Sequence, residues 1–324
     1  MMDFVYILAG FVLLYFGGEW LITGSVSIAK RLGLSTLLVS TVIVGFGTSM
    51  PELLVSLQAA LTGSPDIALG NVVGSNVCNT LLILGVAAVI STITCGAREV
   101  LRDAVMVLAA SLFLAGLSLT GTVDALTGFV MCLSLVAYIA YCVWCEKGGG
   151  KEKAGEKKLH EHVKEELEQQ KHLPAAKAAL LCAVSLLLLV GGARLFVDGA
   201  VALAGRFGVS EAVIGLTLVA VGTSLPELAT AIVASLRRHA DVVIGNILGS
   251  NIFNILGILG ITGIVTAVPF TGRIAQIDVW VMLATAALLL LLIVARKKLG
   301  RGEGAAFLGL YAAYVFWLYV DGGA

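Results

Sequence analysis

The chain has 324 residues, of which 59% are hydrophobic and 13% are charged, and its formal net charge is zero. A soluble domain carries about 25% charged residues, so this composition excludes a soluble protein. It indicates instead a membrane protein whose chain crosses the bilayer many times.

The apolar stretches predict ten transmembrane helices, because each is as long as the ~20 residues that cross a bilayer. We therefore expect an all-α integral membrane protein. The first stretch lacks a basic region and a cleavage site, so we interpret it as a span and not as a signal peptide. In chain order the predicted spans are 3–28, 35–62, 66–92, 100–120, 123–145, 174–204, 209–236, 241–268, 276–296 and 304–321.

Lysine and arginine are distributed unequally between the loops on the two sides of the membrane. All but three of the 21 basic residues lie near the connections after spans 1, 3, 5, 7 and 9; the exceptions are Arg194, Arg206 and Arg273. The positive-inside rule places the basic side in the cytoplasm. We therefore predict a multi-pass protein of the plasma (cell inner) membrane, with both termini extracytoplasmic and the charged segment 146–173 cytoplasmic.

One polar phrase occurs twice, 175 residues apart, within otherwise apolar sequence. Residues 47–52 read GTSMPE and residues 222–227 read GTSLPE, while residues 70–79 read GNVVGSNVCN and residues 245–254 read GNILGSNIFN. The phrases align without a gap, which indicates duplication of one half of the chain.

The predicted spans divide equally between the two halves, five in each. Because five is odd, the second half must enter the membrane with inverted orientation, an arrangement that recurs in transporters. The predicted organisation is a first repeat over 1–145 with its motif at 45–85, a linker over 146–173, and a second repeat over 174–324 with its motif at 220–260.

Each copy of the phrase places one glutamate, Glu52 or Glu227, inside an apolar stretch. A carboxylate in hydrocarbon costs ~3 kcal/mol or more, so these two residues are functional candidates. Pro51 and Pro226 precede them, lack an N–H, and leave backbone carbonyls one turn earlier without helical partners. Carbonyls freed at membrane depth need other partners, and a bound cation is one.

The groups around the two glutamates are hard oxygen donors: hydroxyls, amide oxygens and backbone carbonyls. Ca²⁺ takes six to eight such oxygens, and two glutamates neutralise one Ca²⁺. The same oxygens, regrouped, could hold Na⁺, whereas transition metals prefer His or Cys. For the motif glycines and for four asparagines, the alternative role is helix packing with interhelical hydrogen bonds; these asparagines are Asn71, Asn76, Asn246 and Asn251.

The doubled phrase resembles the two alpha repeats of the sodium/calcium exchanger group within the cation/Ca²⁺ exchanger superfamily, in its compact prokaryotic form. The resemblance covers nearly the whole chain and implies Na⁺/Ca²⁺ antiport by alternating access, with spans 1 and 6 as the mobile pair. It implies that Glu52 and Glu227 ligate Ca²⁺ together with the carbonyls of Thr48 and Thr223. The other implied ligands are Ser49, Ser224, Ser75, Ser250, the carbonyls of Gly45 and Ala220, and the central pair Asn79 and Asn254.

Three positions bear on the subtype. The Ca²⁺/H⁺ branch resembles this pattern but carries Glu where this chain has Gly74 and Gly249, which weakens the proton alternative. Some members, including K⁺-dependent ones, carry Asp in place of Asn254, so K⁺ co-transport is less favoured. The alternatives that stay open are a Ca²⁺/H⁺ or other cation antiporter, a K⁺-dependent exchanger and a cation channel.

The remaining expectations concern partners and other polar residues. The expected partners are Ca²⁺ and Na⁺ as substrates and the lipid bilayer; neither a cofactor, nor a nucleic acid, nor an enzymatic reaction is expected. The sequence does not set the oligomeric state, and a monomer is compatible with it. Asp103 and Asp278 are interpreted as residues of the membrane–water interface.

Overall fold

The computed structural model describes residues 2–119, 121–148, 173–206 and 222–322. Within these ranges the chain is helical apart from turns and four very short strands. The helices are α1 (Met2–Leu32), α2 (Thr36–Thr48), α3 (Met50–Leu61), α4 (Pro65–Ile90), α5 (Arg98–Ser118), α6 (Ala125–Gly148), α7 (Ala175–Arg206), α8 (Leu225–Leu236), α9 (Ala240–Val265), α10 (Ile274–Arg296) and α11 (Arg301–Gly322).

Eight of the described helices are long and apolar enough to cross a bilayer: α1, α4, α5, α6, α7, α9, α10 and α11. Helices α2 and α3 meet the same criterion only when taken together, with a bend of 44° between them, which makes nine spans if the pair counts as one. The bend lies within the span predicted over 35–62, where Pro51 occupies the first turn of α3 and starts a new helix. The span predicted over 209–236 is described only from residue 222 onward, so the count of ten helices stays a prediction.

Several helices contain a π segment, in which the turn is wider than in an α-helix. These segments are Ser40–Gly45 in α2, Cys78–Ile83 in α4, Phe253–Ile258 in α9 and Ile274–Asp278 at the start of α10. Such segments are often found at functional sites. The first three contain or adjoin the predicted ion ligands, and no feature of the sequence predicted them.

Two antiparallel ribbons connect loops from the two halves of the chain. Strand β1 (Ile93–Thr94) follows α4 and pairs with β4 (Lys298–Leu299), which follows α10. Strand β2 (Thr122–Val123) follows α5 and pairs with β3 (Val268–Pro269), which follows α9. Each ribbon therefore joins a loop of the first half to a loop of the second half.

The centre of the bundle is occupied by α9 and α4. Every residue in the most apolar stretch of α9 is buried, and 72% of the corresponding stretch of α4 is buried. Helix α11 lies at the periphery, and large apolar side chains on it, such as Phe316, are exposed. An apolar outer surface fits a lipid environment, and the central helices are those that carry the second part of the repeated phrase.

Helices α1 and α7 approach each other so closely that glycine is required at the contact. A Cβ atom built on Gly10 would lie 2.7 Å from the carbonyl oxygen of Gly192, and one built on Gly199 would lie 2.7 Å from that of Asp3. Arg206 at the end of α7 also forms an ion pair of 2.9 Å with Asp3 of α1. Backbone contact of this kind makes α1 and α7 a tightly packed pair.

Candidate functional site

The two predicted glutamates occupy equivalent places in the structure. Glu52 lies in the first turn of α3 and Glu227 in the first turn of α8, each directly after a proline. Their exposed fractions are 1% and 0%. The partial positive charge at a helix N-terminus is favourable for a carboxylate, so each proline-started helix provides a suitable position for its acid.

The two copies of the phrase meet through reciprocal hydrogen bonds. Ser49 Oγ donates to Glu227 Oε1 at 2.8 Å, and Ser224 Oγ donates to Glu52 Oε1 at 3.2 Å. The other oxygen of each carboxylate, Oε2, is buried and has no hydrogen-bond partner among the described residues. The structure therefore brings both glutamates and both serines into a single site.

Asn71 and Asn246 hold the helices that carry the glutamates. Asn71 Nδ2 donates to the carbonyl oxygen of Glu52 at 3.1 Å and to Ser56 Oγ at 2.9 Å. Asn246 Nδ2 donates to the carbonyl oxygen of Glu227 at 3.4 Å. These contacts agree with the interhelical role that the sequence left open for both asparagines, and they fix the backbone of each acid.

The π segment of α2 brings the predicted ligands Gly45 and Thr48 against α9. Ser250 Oγ donates to the carbonyl oxygen of Gly45 at 3.0 Å, and Thr48 Oγ1 donates to Asn246 Oδ1 at 3.1 Å. The approach depends on a glycine, because a Cβ built on Gly249 would lie 2.1 Å from the carbonyl oxygen of Thr41. Two predicted ligands from opposite halves, Gly45 and Ser250, thus lie in direct contact.

Amide side chains fill the centre of the bundle. Asn79 Nδ2 donates to Asn251 Oδ1 at 3.1 Å, and Asn251 Nδ2 donates to Thr80 Oγ1 at 3.1 Å. Asn254 is fully buried, yet neither its Oδ1 nor its Nδ2 has a hydrogen-bond partner in the described part of the chain. A buried polar group without a partner costs about 1–3 kcal/mol, so Asn254 is suited to contact a ligand.

Three further predicted ligands are Ser75, Thr223 and Ala220. Ser75 is buried in α4. The Thr223 hydroxyl is buried and has no hydrogen-bond partner within the described ranges. Ala220 lies outside the described residues, so its predicted role is left as a prediction.

The side-chain oxygens near the two glutamates are hard donors. Five buried oxygens have no hydrogen-bond partner among the residues that the structure describes: Glu52 Oε2, Glu227 Oε2, Asn79 Oδ1, Asn254 Oδ1 and Thr223 Oγ1. No three His, Cys, Asp or Glu side chains cluster as metal ligands in the ranges that the structure describes. Two carboxylates in one buried site repel each other, and a hard cation among these oxygens would offset that repulsion.

Asp103 and Asp278, which the sequence analysis assigned to the membrane–water interface, are buried within the protein. Their exposed fractions are 0% and 6%. Burial is possible because each carboxylate accepts a hydrogen bond from a tyrosine of another helix: Tyr138 OH donates to Asp103 at 2.6 Å, and Tyr314 OH donates to Asp278 at 3.1 Å. Each tyrosine is 35 or 36 residues from its aspartate, so no local pattern could predict these contacts.

Comparison with known proteins gives a consistent result. A family model described as sodium/calcium exchanger protein matches residues 2–144 and 177–320. The putative antiporter CaxA of Alkalimonas amylolytica is 36% identical over 324 residues, which cover 97% of this chain and 98% of that protein. The sodium/calcium exchanger MaX1 of Methanosarcina acetivorans is 29% identical over 348 residues and covers 98% of both chains.

A solved structure of the sodium-calcium exchanger NCX_Mj, soaked with 2.5 mM Na⁺ and 0.1 mM Ca²⁺, has the same fold. The TM-score is 0.82 at 31% sequence identity, and the match covers 98% of this chain and 99% of that chain. The similarity therefore extends over both halves and over the helices that carry the candidate site.

Proposed function

The chain belongs to the sodium/calcium exchanger protein family, a family of membrane antiporters, and on this premise we propose that it exchanges Na⁺ for Ca²⁺ by alternating access. The observation that carries the proposal is the buried pair of Glu52 and Glu227, which are linked by reciprocal serine hydrogen bonds. Two acids in one buried site are costly, and neutral residues would pack there at a lower cost. Their presence therefore indicates ion binding. A divalent cation balances their charge.

In the proposed Ca²⁺ state, the ion lies between the two glutamates. The unpartnered Oε2 atoms of Glu52 and Glu227 supply the charge, and the carbonyls of Thr48 and Thr223 supply further oxygens. Ca²⁺ accepts six to eight oxygens at variable angles, so a site built from two proline-started helices suits it.

In the proposed Na⁺ state, the same region is divided into smaller sites. The hydroxyls of Ser49 and Ser224 contact the glutamates and have lone pairs available for Na⁺. Gly45 and Ser250 form one flanking site, and their existing contact of 3.0 Å supports that grouping. The second flanking site would use Ala220 and Ser75, and the amides of Asn79 and Asn254 would complete the centre.

The ribbons support the proposal of ten helices in two inverted repeats. Strands β1 and β2 lie at the two ends of α5, so they are on opposite sides of the membrane if α5 crosses it. Strand β3 occupies the same place in the second repeat as β1 in the first, because β1 follows α4 and β3 follows α9. However, β3 pairs with β2 and so lies on the same side of the membrane as β2. Equivalent loops would thus face opposite sides, as inverted repeats require.

The packing of α1 and α7 supports their proposed role as the mobile pair. A Cβ built on Gly47 would lie 2.7 Å from the Leu186 side chain of α7, and one built on Gly222 would lie 2.7 Å from Val197 of the same helix. Helix α7 therefore touches both copies of the phrase immediately before their glutamates. A sliding motion of this pair could expose the site to either side in turn.

The proposed orientation in the cell inner membrane can be tested by a reporter experiment. We expect a reporter fused after Ala324 to be accessible from outside the cell, because the basic loops stay in the cytoplasm. A protease site inserted into 146–173 should be cut only from the cytoplasmic side. The opposite pattern at both positions would overturn the proposed orientation.

The counter-ion can be identified in proteoliposomes by following ⁴⁵Ca²⁺ uptake. Vesicles are loaded separately with Na⁺, with K⁺, or with acidic buffer that contains neither ion. We expect uptake with internal Na⁺ alone, because the site has no further titratable acid and an asparagine at position 254. Uptake driven by the pH gradient would favour a Ca²⁺/H⁺ antiporter, and equal uptake under all three conditions would favour a channel.

A further inference from the structure

Asp103 is a buried acid outside the two copies of the phrase. It lies near the start of α5 and is completely buried, a costly position for a carboxylate in a membrane helix. Its Oδ2 accepts a hydrogen bond from Thr41 Oγ1 at 3.1 Å. Its Oδ1 accepts hydrogen bonds from Tyr138 OH at 2.6 Å and from Arg102 Nε at 2.8 Å. Asp103 thus connects α5 to both α6 and α2.

Thr41 is the second residue of the π segment Ser40–Gly45 and is held from two sides. Its hydroxyl is bound by Asp103 of α5. Its carbonyl oxygen lies 2.1 Å from the position that a Cβ of Gly249 would occupy, so its backbone is in close contact with α9. This residue therefore cannot shift without breaking the hydrogen bond or opening the contact with α9.

The same π segment ends at Gly45, four residues after Thr41. The carbonyl oxygen of Gly45 accepts a hydrogen bond from Ser250 Oγ at 3.0 Å. Thr41 and Gly45 belong to the same π segment and lie about one turn apart, so we expect a displacement of Thr41 to move the Gly45 carbonyl. Ion ligands must be held within about 0.5 Å of the working geometry.

We propose that Asp103 is a positioning residue for the Na⁺ site formed by Gly45 and Ser250, and that it acts through the Thr41 hydroxyl. This inference rests on the proposed exchange function and adds a residue that touches none of the proposed ligands. The hydrogen bond from Thr41 to the Asp103 carboxylate is charge-assisted and therefore stronger than a neutral hydrogen bond. This strength explains why an acid occupies position 103.

The sequence of the second repeat does not preserve the pair of Thr41 and Asp103. Asp278 is the equivalent of Asp103, and it accepts hydrogen bonds from Tyr314 and from Arg273 at 3.1 and 3.5 Å. The position equivalent to Thr41 is Leu216, which has no hydroxyl. Loss of the hydrogen bond from Thr41 to Asp103 should therefore affect the Na⁺ site at Gly45 and leave the Ca²⁺ ligands of both halves in place.

The test uses Thr41→Val, which keeps the shape of the side chain and removes the hydroxyl. Loss of one hydrogen bond lowers an equilibrium about fivefold. We expect the Na⁺ concentration that gives half-maximal exchange to rise about fivefold, and the corresponding Ca²⁺ concentration to change less than about twofold. Thr41→Ser keeps the hydroxyl and should behave as wild type.

Two further variants separate positioning from general stability. Tyr138→Phe removes a different hydrogen bond to the same carboxylate and should leave the ratio of the two half-maximal concentrations unchanged. Asp103→Asn weakens the bond from the other side and should raise the Na⁺ value selectively, so it replaces Thr41→Val if that variant fails to fold.

Unchanged constants in Thr41→Val, or an equal rise in the Na⁺ and Ca²⁺ values, would overturn the inference and leave the exchange function standing. A wild-type protein without any Na⁺-dependent uptake would overturn the exchange function itself, and this inference with it.

Discussion

Replacement of either Glu52 or Glu227 by glutamine is expected to lower Ca²⁺ uptake at least about 100-fold. Removal of one charged partner from a buried ionic site costs about 3–5 kcal/mol, and each 1.4 kcal/mol is a tenfold change. Glutamine keeps the size of the side chain and can still accept the serine hydrogen bond, so the variants should fold. The loss would therefore report the missing charge on the ion.

Initial rates of Na⁺-driven ⁴⁵Ca²⁺ uptake in proteoliposomes measure this effect. Glu99→Gln is the matched control, because Glu99 lies in the first turn of α5 and is no part of the candidate site. It should transport at the wild-type rate. The assignment of the glutamates as ligands would be contradicted if either single site variant, present as a monodisperse protein, kept more than a tenth of wild-type uptake.

Gly249→Ala is expected to lower both stability and transport more than any other single methyl addition in the site. The added Cβ would lie 2.1 Å from the carbonyl oxygen of Thr41, which is backbone and cannot rotate away. Overpacking typically costs about 1–3 kcal/mol, and a contact this short belongs at or above the upper end. The π segment of α2 would move away from α9, and the contact between Gly45 and Ser250 would open.

Thermal unfolding and ⁴⁵Ca²⁺ uptake check this second prediction together. Gly309→Ala in α11 is the control, since Gly309 is exposed and its added Cβ meets no atom within 4 Å among the described residues. We expect a lower Tm and strongly reduced uptake for Gly249→Ala only. Wild-type values for Gly249→Ala would contradict the close backbone contact.

The central residues of the candidate site could be predicted from the sequence because their types are rare in membrane-spanning helices. Acids and prolines are costly inside apolar spans, so Glu52 and Glu227 stood out, and their duplication indicated that they act together. The reciprocal bonds with Ser49 and Ser224 agree with that expectation. The broken span at Pro51 also follows from the chemistry of proline.

The supporting structure could not be predicted from the sequence in the same way. A π segment differs from an α-helix by one inserted residue, and apolar residues such as those of Ser40–Gly45 are compatible with both. Asp103 follows Arg102 near the start of a span, a pattern typical of an interface. Its burial depends on Thr41 and Tyr138, which are 62 and 35 residues away.

Coupled exchange is the central claim, and accumulation of Ca²⁺ against its gradient tests it most directly. Proteoliposomes are prepared with equal Ca²⁺ concentrations on both sides, and an outward Na⁺ gradient is then imposed. We predict that internal Ca²⁺ rises above its starting concentration and falls back when the Na⁺ gradient is dissipated. Internal Ca²⁺ that stays at its starting concentration, with or without the Na⁺ gradient, would contradict antiport.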